Sequence, residues 1–276
     1  MSNIHTIESL HGDLIFKEIF GTQKNVRFTE YLLELLKGYE KHSLKGKVTV
    51  LNEAFLEKTK LNDKGMTSDV LAKSGDEVID LEMYTTFEDD DFEKSLTYLA
   101  RIYGTRLEIG EKYQNQPKVT QYNFCVSSHV PDIDEYETDF LFMNKKTYKI
   151  ITNKVEGYIY RLDKLGNVVY DDDRKEELRR IMKMMYVKSK EERLEIARGS
   201  EILMDLAQVM EEFVNDEDVL KFKSLTRKNE EIARRNGKNA RSMEIAKNLL
   251  SLNIDIPTII KSTGLSKKEI QKLQES

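Results

Sequence analysis

Ser68-Asp69-Val70-Leu71-Ala72-Lys73, the turn Ser74-Gly75-Asp76 and Glu77-Val78-Ile79-Asp80-Leu81-Glu82-Met83-Tyr84 together read as a β-hairpin with a three-residue connection. Side chains on a strand alternate between faces. Ile79, Leu81 and Met83 are therefore expected to face a core, with Asp80, Glu82 and Tyr84 on the opposite side. Asp69 meets Glu82 across the pair if the register sets them opposite one another. Two carboxylates held close repel unless a proton or a cation comes between them. A hard divalent ion, bound through carboxylate oxygens, a main-chain carbonyl such as that of Met83, and water, suits such a pair. It would lower the pKa of a bound water and steady charge on a phosphoryl oxygen. The competing reading is a polar hairpin face with solvated acids, the commoner fate of surface carboxylates.

On the N-terminal side, Asp13-Leu-Ile-Phe-Lys-Glu-Ile-Phe20 predicts a short amphipathic helix ending at Gly21. Asn25 to Lys37 predicts a second, with Phe28, Tyr31, Leu32, Leu35 and Leu36 recurring at three and four and Gly38 as its stop. Lys47 to Glu57 carries a strand pattern. After the hairpin, Phe92 to Tyr113 predicts a long helix and Lys118 to Ser127 another strand. The acids Glu88 to Asp91 lack calcium-loop spacing and are expected in a solvated loop, with Asp89, Asp90 or Asp91 capping that helix. Residues 131 to 172 read as irregular strands and loops, and from Lys175 onward the pattern is helical. The resulting division is an α/β core at 1–172 and a helical region at 173–276, which holds a basic segment, 221–247, and a small helical tail, 243–273.

Composition narrows the chemistry. The 276 residues include 49 acidic and 44 basic side chains, a net charge of -5, and 39 % hydrophobic residues, enough for a sizeable core. The single Cys125 excludes an internal disulfide and a cysteine-built zinc site, and suits a reducing, cytoplasmic setting. It lies among Tyr122, Phe124 and Val126 and reads as a small buried side chain. Four scattered histidines give little support to a histidine metal site. No run is long enough to span a bilayer, so no membrane is expected. Charge is uneven: Asp80 to Glu93 holds seven acids and no base, whereas Lys221 to Lys247 holds nine bases against three acids.

Three stretches, Asp13-x-x-Phe16-Lys17-x-x-Phe20, Asp69-Val70 and Asp80-Leu81-Glu82-Met83-Tyr84, resemble the PD-(D/E)xK nuclease-like transposase family, the recombination-promoting nucleases. Tyr98, Gly110-Glu111-Lys112-Tyr113 and the tail Ile245-Ala246-Lys247 to Leu265-Ser266-Lys267-Lys268-Glu269-Ile270 extend the likeness in order from residue 13 to 273. The resemblance implies an α/β, restriction-endonuclease-like mixed sheet flanked by helices, with a helical C-terminal region. It also implies a divalent-metal-dependent DNA endonuclease linked to transposition or recombination, using Mg²⁺ or Mn²⁺ and no organic cofactor. Asp69 and Glu82 match the metal-binding acids, and Asp13 and Lys17 the N-terminal helix motif. Tyr84 departs from the pattern, because relatives carry Gln there and the wider superfamily Lys. A tyrosine hydroxyl can hydrogen-bond, so Tyr84 or a nearby lysine would position the attacking water, but it bears no positive charge at neutral pH. Lys17 or Lys94 (the latter where relatives tend to have Arg) would then have to supply the cation. The alternative is a weakened or inactive DNA-binding or regulatory protein on the same fold.

Arg227, Lys228, Arg234, Arg235 and Arg241 suit phosphate contacts, and equally a helix face laced with Glu230, Glu231 and Glu244 or a linker around Gly237. In the tail, Pro257 and Gly264 bracket one helix, and Ser266-Lys-Lys-Glu269 is a capping box that opens another. Three short helices result, superficially a helix-turn-helix. A packing or interaction module, one way to a homodimer, is favoured over base reading, because the last helix lacks Asn or Arg for bidentate contacts.

Overall fold

The computed structural model describes residues 13–51, 68–105, 112–130, 135–166, 170, 172–216, 241–252 and 254–274. Its contacts divide the chain into two compact units, 1–214 and 215–276.

The first unit is built on one mixed sheet in the order β1-β2-β3-β4-β6-β5. The strands are β1 (Val48–Leu51), β2 (Val70–Ser74), β3 (Glu77–Phe87), β4 (Lys118–Ser128), β5 (Glu137–Met143) and β6 (Ile150–Arg161). β3, β4 and β6 run parallel to one another, and the other pairs are antiparallel. The β2–β3 connection is two residues, not three: Gly75 takes φ +58, a left-handed conformation that costs glycine little, so the ladder closes one residue earlier.

Helices cover both faces. α1 (Asp13–Phe20) and α2 (Val26–Lys37) bury Phe16, Phe20, Phe28 and Leu32 with Ile79, Leu81 and Phe124 in the main core. Gly38 ends α2 at φ +67. α4 (Asp173–Tyr186) and α6 (Glu201–Asn215) add Ile181, Met182, Leu203 and Met210 to the same core, with α5 (Lys190–Ala197) between them. The helices after 172 thus pack into the first unit, and the contacts divide at 214/215, because their apolar stripes are buried in its main core.

On the opposite face lies α3 (Asp89–Gly104), with Tyr98, Leu99 and Ile102 against Leu71, Val78 and Val119. Glu88 itself is the N-cap, and the Asp91 carboxylate accepts from its N–H at 3.1 Å, so the expected acidic loop is largely the first helical turn. α3 stops at Gly104, short of Tyr113. Within 131–172, expected to be irregular strands and loops, β5 and β6 pair as an antiparallel hairpin whose register shifts on either side of Phe142.

The second unit holds α7 (241–251), α8 (Ile256–Thr263) and α9 (Lys267–Gln274) around Ala246, Ile259, Leu265 and Ile270. Pro257 lies in the first turn of α8 and Gly264 ends it at φ +71. The capping box forms: Ser266 N–H donates to Glu269 Oε2 at 2.7 Å, and Glu269 N–H to Ser266 Oγ at 3.4 Å. Among the described residues no helix is long and apolar enough to cross a membrane.

Candidate active site

Asp69 immediately precedes β2, and the register that pairs Val70 with Leu81 brings it opposite Glu82. The two acids are cross-tied through the backbone. Asp69 N–H donates to Glu82 Oε1 at 3.0 Å, and Met83 N–H donates to Asp69 Oδ2 at 3.0 Å. Lys17 of α1 brings its Nζ to 3.4 Å from Asp69 Oδ1.

The strand face carrying Glu82 is not solvated. Glu82 is 2 % exposed and Asp80 is fully buried, because β3 lies inside the sheet with α3 over this face. Ser68 Oγ donates to Asp80 Oδ1, and Gln121 Nε2 donates to Asp80 Oδ2 at 2.7 Å. Behind them Ser95 Oγ of α3 donates to Gln121 Oε1 at 2.5 Å, and Asn123 Nδ2 donates to the Tyr158 carbonyl at 3.1 Å. Burial pushes the Asp80 carboxyl up to about 6, against the pull of its two hydrogen bonds. Burial, then the charges of Asp80 and Asp69, hold Glu82 well above the usual carboxylate range.

The donor set suits a hard dication. Two carboxylates converge, tied to each other's backbone, and both supply oxygen. Both Asp80 oxygens are already engaged, and among the described residues no cluster of three acidic, histidine or cysteine side chains is set to hold a metal. Further ligands would have to come from the main chain, water or substrate, as Mg²⁺ commonly accepts.

A family model described as PD-(D/E)XK nuclease family transposase matches residues 10–238. The chain belongs to that PD-(D/E)XK family. A second model, the C-terminal HTH domain of the Rpn/YhgA-like nuclease family, matches residues 239–275. No curated protein and no solved structure matches the chain. The second match replaces the packing-module preference for α7–α9 with a helix-turn-helix, and the two domains of this PD-(D/E)XK chain imply DNA as partner. Three helices closing on a core of four small or aliphatic side chains satisfy either description, so helix pattern alone could not separate them.

The remaining expected residues fall in different places. Tyr84 is 7 % exposed and packs edge-on against Phe87 at 4.9 Å, and its hydroxyl has no hydrogen-bond partner among the described residues. Burial and the neighbouring carboxylates push its pKa up, so it is no proton acceptor. Exposed Lys94 of α3 stands over the same ring at 5.2 Å, and its charge pulls down the pKa of both Asp80 and Glu82. Asp13 begins α1. Arg241 is exposed on α7, whereas Arg227, Lys228, Arg234 and Arg235 lie outside the described residues. Cys125 is fully buried and its thiol is pushed up by burial.

Sequence reasoning missed the polar layer of Ser68, Gln121, Asn123 and Ser95, and the burial of Asp80. The available signal was the polar Thr120, Gln121 and Asn123 in the middle of β4, among Val119, Tyr122, Phe124 and Val126.

Proposed function

We propose that the chain is a divalent-metal-dependent DNA endonuclease acting in transposition or recombination, in a cytoplasmic, reducing setting. The observation that carries this reading is the cross-tied pair of partly exposed Asp69 and buried Glu82, beside a polar layer with an exposed cation above it. Asp69 and Glu82 would hold Mg²⁺ or Mn²⁺, which when bound supplies a polarised phosphate and a water of lowered pKa. The chain's own groups do the positioning. The amides of Asp69 and Met83 fix the two carboxylates, and the Ser68–Asp80–Gln121–Ser95 chain anchors the segment from below. Lys94 and Lys17 supply the positive charge that Tyr84 does not, Lys94 over Tyr84 and Lys17 against Asp69.

The sealed Tyr84 hydroxyl favours a second reading, a DNA-binding protein with a weakened site. Nicking of supercoiled plasmid separates the two. Wild type is expected to nick with Mg²⁺ or Mn²⁺ and not with EDTA. Glu82→Gln is expected to lose both the nicking and the rise in melting temperature that Mn²⁺ gives. Metal-dependent nicking that persists at the wild-type rate in highly purified Glu82→Gln rejects the site, and salt-sensitive binding without nicking by wild type selects the second reading.

A further inference from the structure

The β5–β6 hairpin is longer than the sheet needs. β4 pairs with β6 only from Val155 onward, so the stretch between Phe142 and Thr152 extends beyond that ladder. Its tip is closed tightly. Asn144 N–H donates to the Lys149 carbonyl at 2.9 Å, and Tyr148 N–H donates to the Asn144 carbonyl at 2.8 Å. Asn144 Oδ1 accepts from the amides of Lys146 and Thr147, and Tyr148 takes φ +55. A non-glycine residue in that region is uncommon, and here a ring of hydrogen bonds holds it there.

The tip displays a specific chemistry. Lys145, Lys146 and Lys149 are exposed, have no ion-pair partner among the described residues, and lie in a stretch, 142–154, without a single acid. That is notable in a chain of net charge -5. Beside the lysines stand large side chains open to water: Tyr148 at 77 %, Ile151 at 69 % and Ile150 at 60 % exposure. A solvated tip explains the lysines and leaves the apolar groups without a purpose.

We propose that this hairpin is a second contact for duplex DNA, in which Lys145, Lys146 and Lys149 meet phosphates and Tyr148 and Ile150 press against sugars and base edges in a groove. Ammonium groups supply the sequence-independent part of such binding, and apolar wedges are a recurrent device of groove-binding arms. The spacing suits the site. Glu82 is level with Asn123 and Asn123 with Ile159. From Ile159 back to Ile150 the strand covers at most about 30 Å at roughly 3.3 Å per residue, close to one turn of duplex. The inference rests on DNA being the substrate of the chain, and not on the carboxylates being active.

The test measures binding of the full-length protein to a labelled duplex by fluorescence anisotropy, in EDTA, across a salt series. Replacing the three lysines (Lys145→Gln, Lys146→Gln, Lys149→Gln) is expected to make the slope of log affinity against log salt shallower by up to about 2.7. A control of equal charge change on other exposed lysines, Lys41→Gln with Lys45→Gln and Lys47→Gln, is expected to leave the slope near wild type. Tyr148→Ala with Ile150→Ala is expected to weaken binding several-fold at every salt concentration without changing the slope. Equal slopes for the hairpin and control variants overturn the proposal. So does a wild-type dimer in sedimentation that the Tyr148→Ala, Ile150→Ala protein loses, since the patch would then serve a second copy of the chain. Because EDTA removes cleavage from the measurement, a failed nicking assay beside a changed slope sinks the endonuclease reading and leaves the arm standing.

Discussion

Asp80 shares the electrostatic cost of the site with Glu82. Its carboxyl titrates near 6 in the fold and near 3.9 in an unfolded chain, so the folded state binds the proton more tightly. The resulting loss of stability is absent below pH 4 and fully developed above pH 6, on the order of 2–3 kcal/mol. Asp80→Asn keeps the shape and removes the ionised form: its amide nitrogen can donate to Ser68 Oγ while its oxygen still accepts from Gln121 Nε2. Calorimetric melting should therefore find this variant more stable than wild type at pH 8 and no more stable at pH 4. A gain that is the same at both pH values would show that charge is not the cause. Lys94 makes the opposite contribution, a cation kept in solvent above two buried acids. Lys94→Gln is expected to lower the nicking rate about tenfold or more and Lys94→Arg to keep most of it, because the charge matters more than its exact bearer. An unaffected Lys94→Gln enzyme would move that role to Lys17.

Among the elements, β6 shows how closely the sheet is packed. A methyl group added at Gly157 would lie 2.0 Å from the Phe140 ring, which itself packs on Phe92 at 5.8 Å. Gly157→Ala should cost about 2–3 kcal/mol by overpacking. Urea denaturation should record it as a lowered midpoint at unchanged slope, and an unmoved midpoint would mean that Phe140 has room to turn away. Elements governed by local signals were legible in the sequence. α1, α2, β3, β4 and the Ser266 capping box follow from apolar spacing, the left-handed Gly38 and a short-range hydrogen-bond motif. β5 and β6 were not, because their exposed, lysine-rich middle breaks the alternation that marks a strand. Of the site, the pairing of Asp69 with Glu82 was legible, since a hairpin register spans few residues. The burial of Glu82 was not, since it depends on β4 and α3.

For the whole molecule, the decisive question is which helices the sheet requires. Ile181, Met182, Met185, Leu203, Leu206 and Met210 are fully buried in the core that also holds Ile79 and Leu81. Losing six such side chains at roughly 1.5–3 kcal/mol each would remove an amount comparable to the whole stability of a domain. A chain cut after residue 214 should keep a single cooperative melting transition and lose DNA affinity with its helix-turn-helix domain. A chain cut after residue 172 should fail to give one. Cooperative folding of the shorter piece, read by circular dichroism, would restore the earlier boundary.

The sequence by itself determined the carboxylate hairpin, the helix caps and the family, because each rests on residue types at short, fixed separations. Tertiary structure alone decided that the acids are buried, that Gln121 and Ser95 support them, and that the core continues to residue 214. Those facts come from parallel pairing and helix packing between distant segments, where the burial of a side chain is set by what covers it and not by its neighbours in the chain.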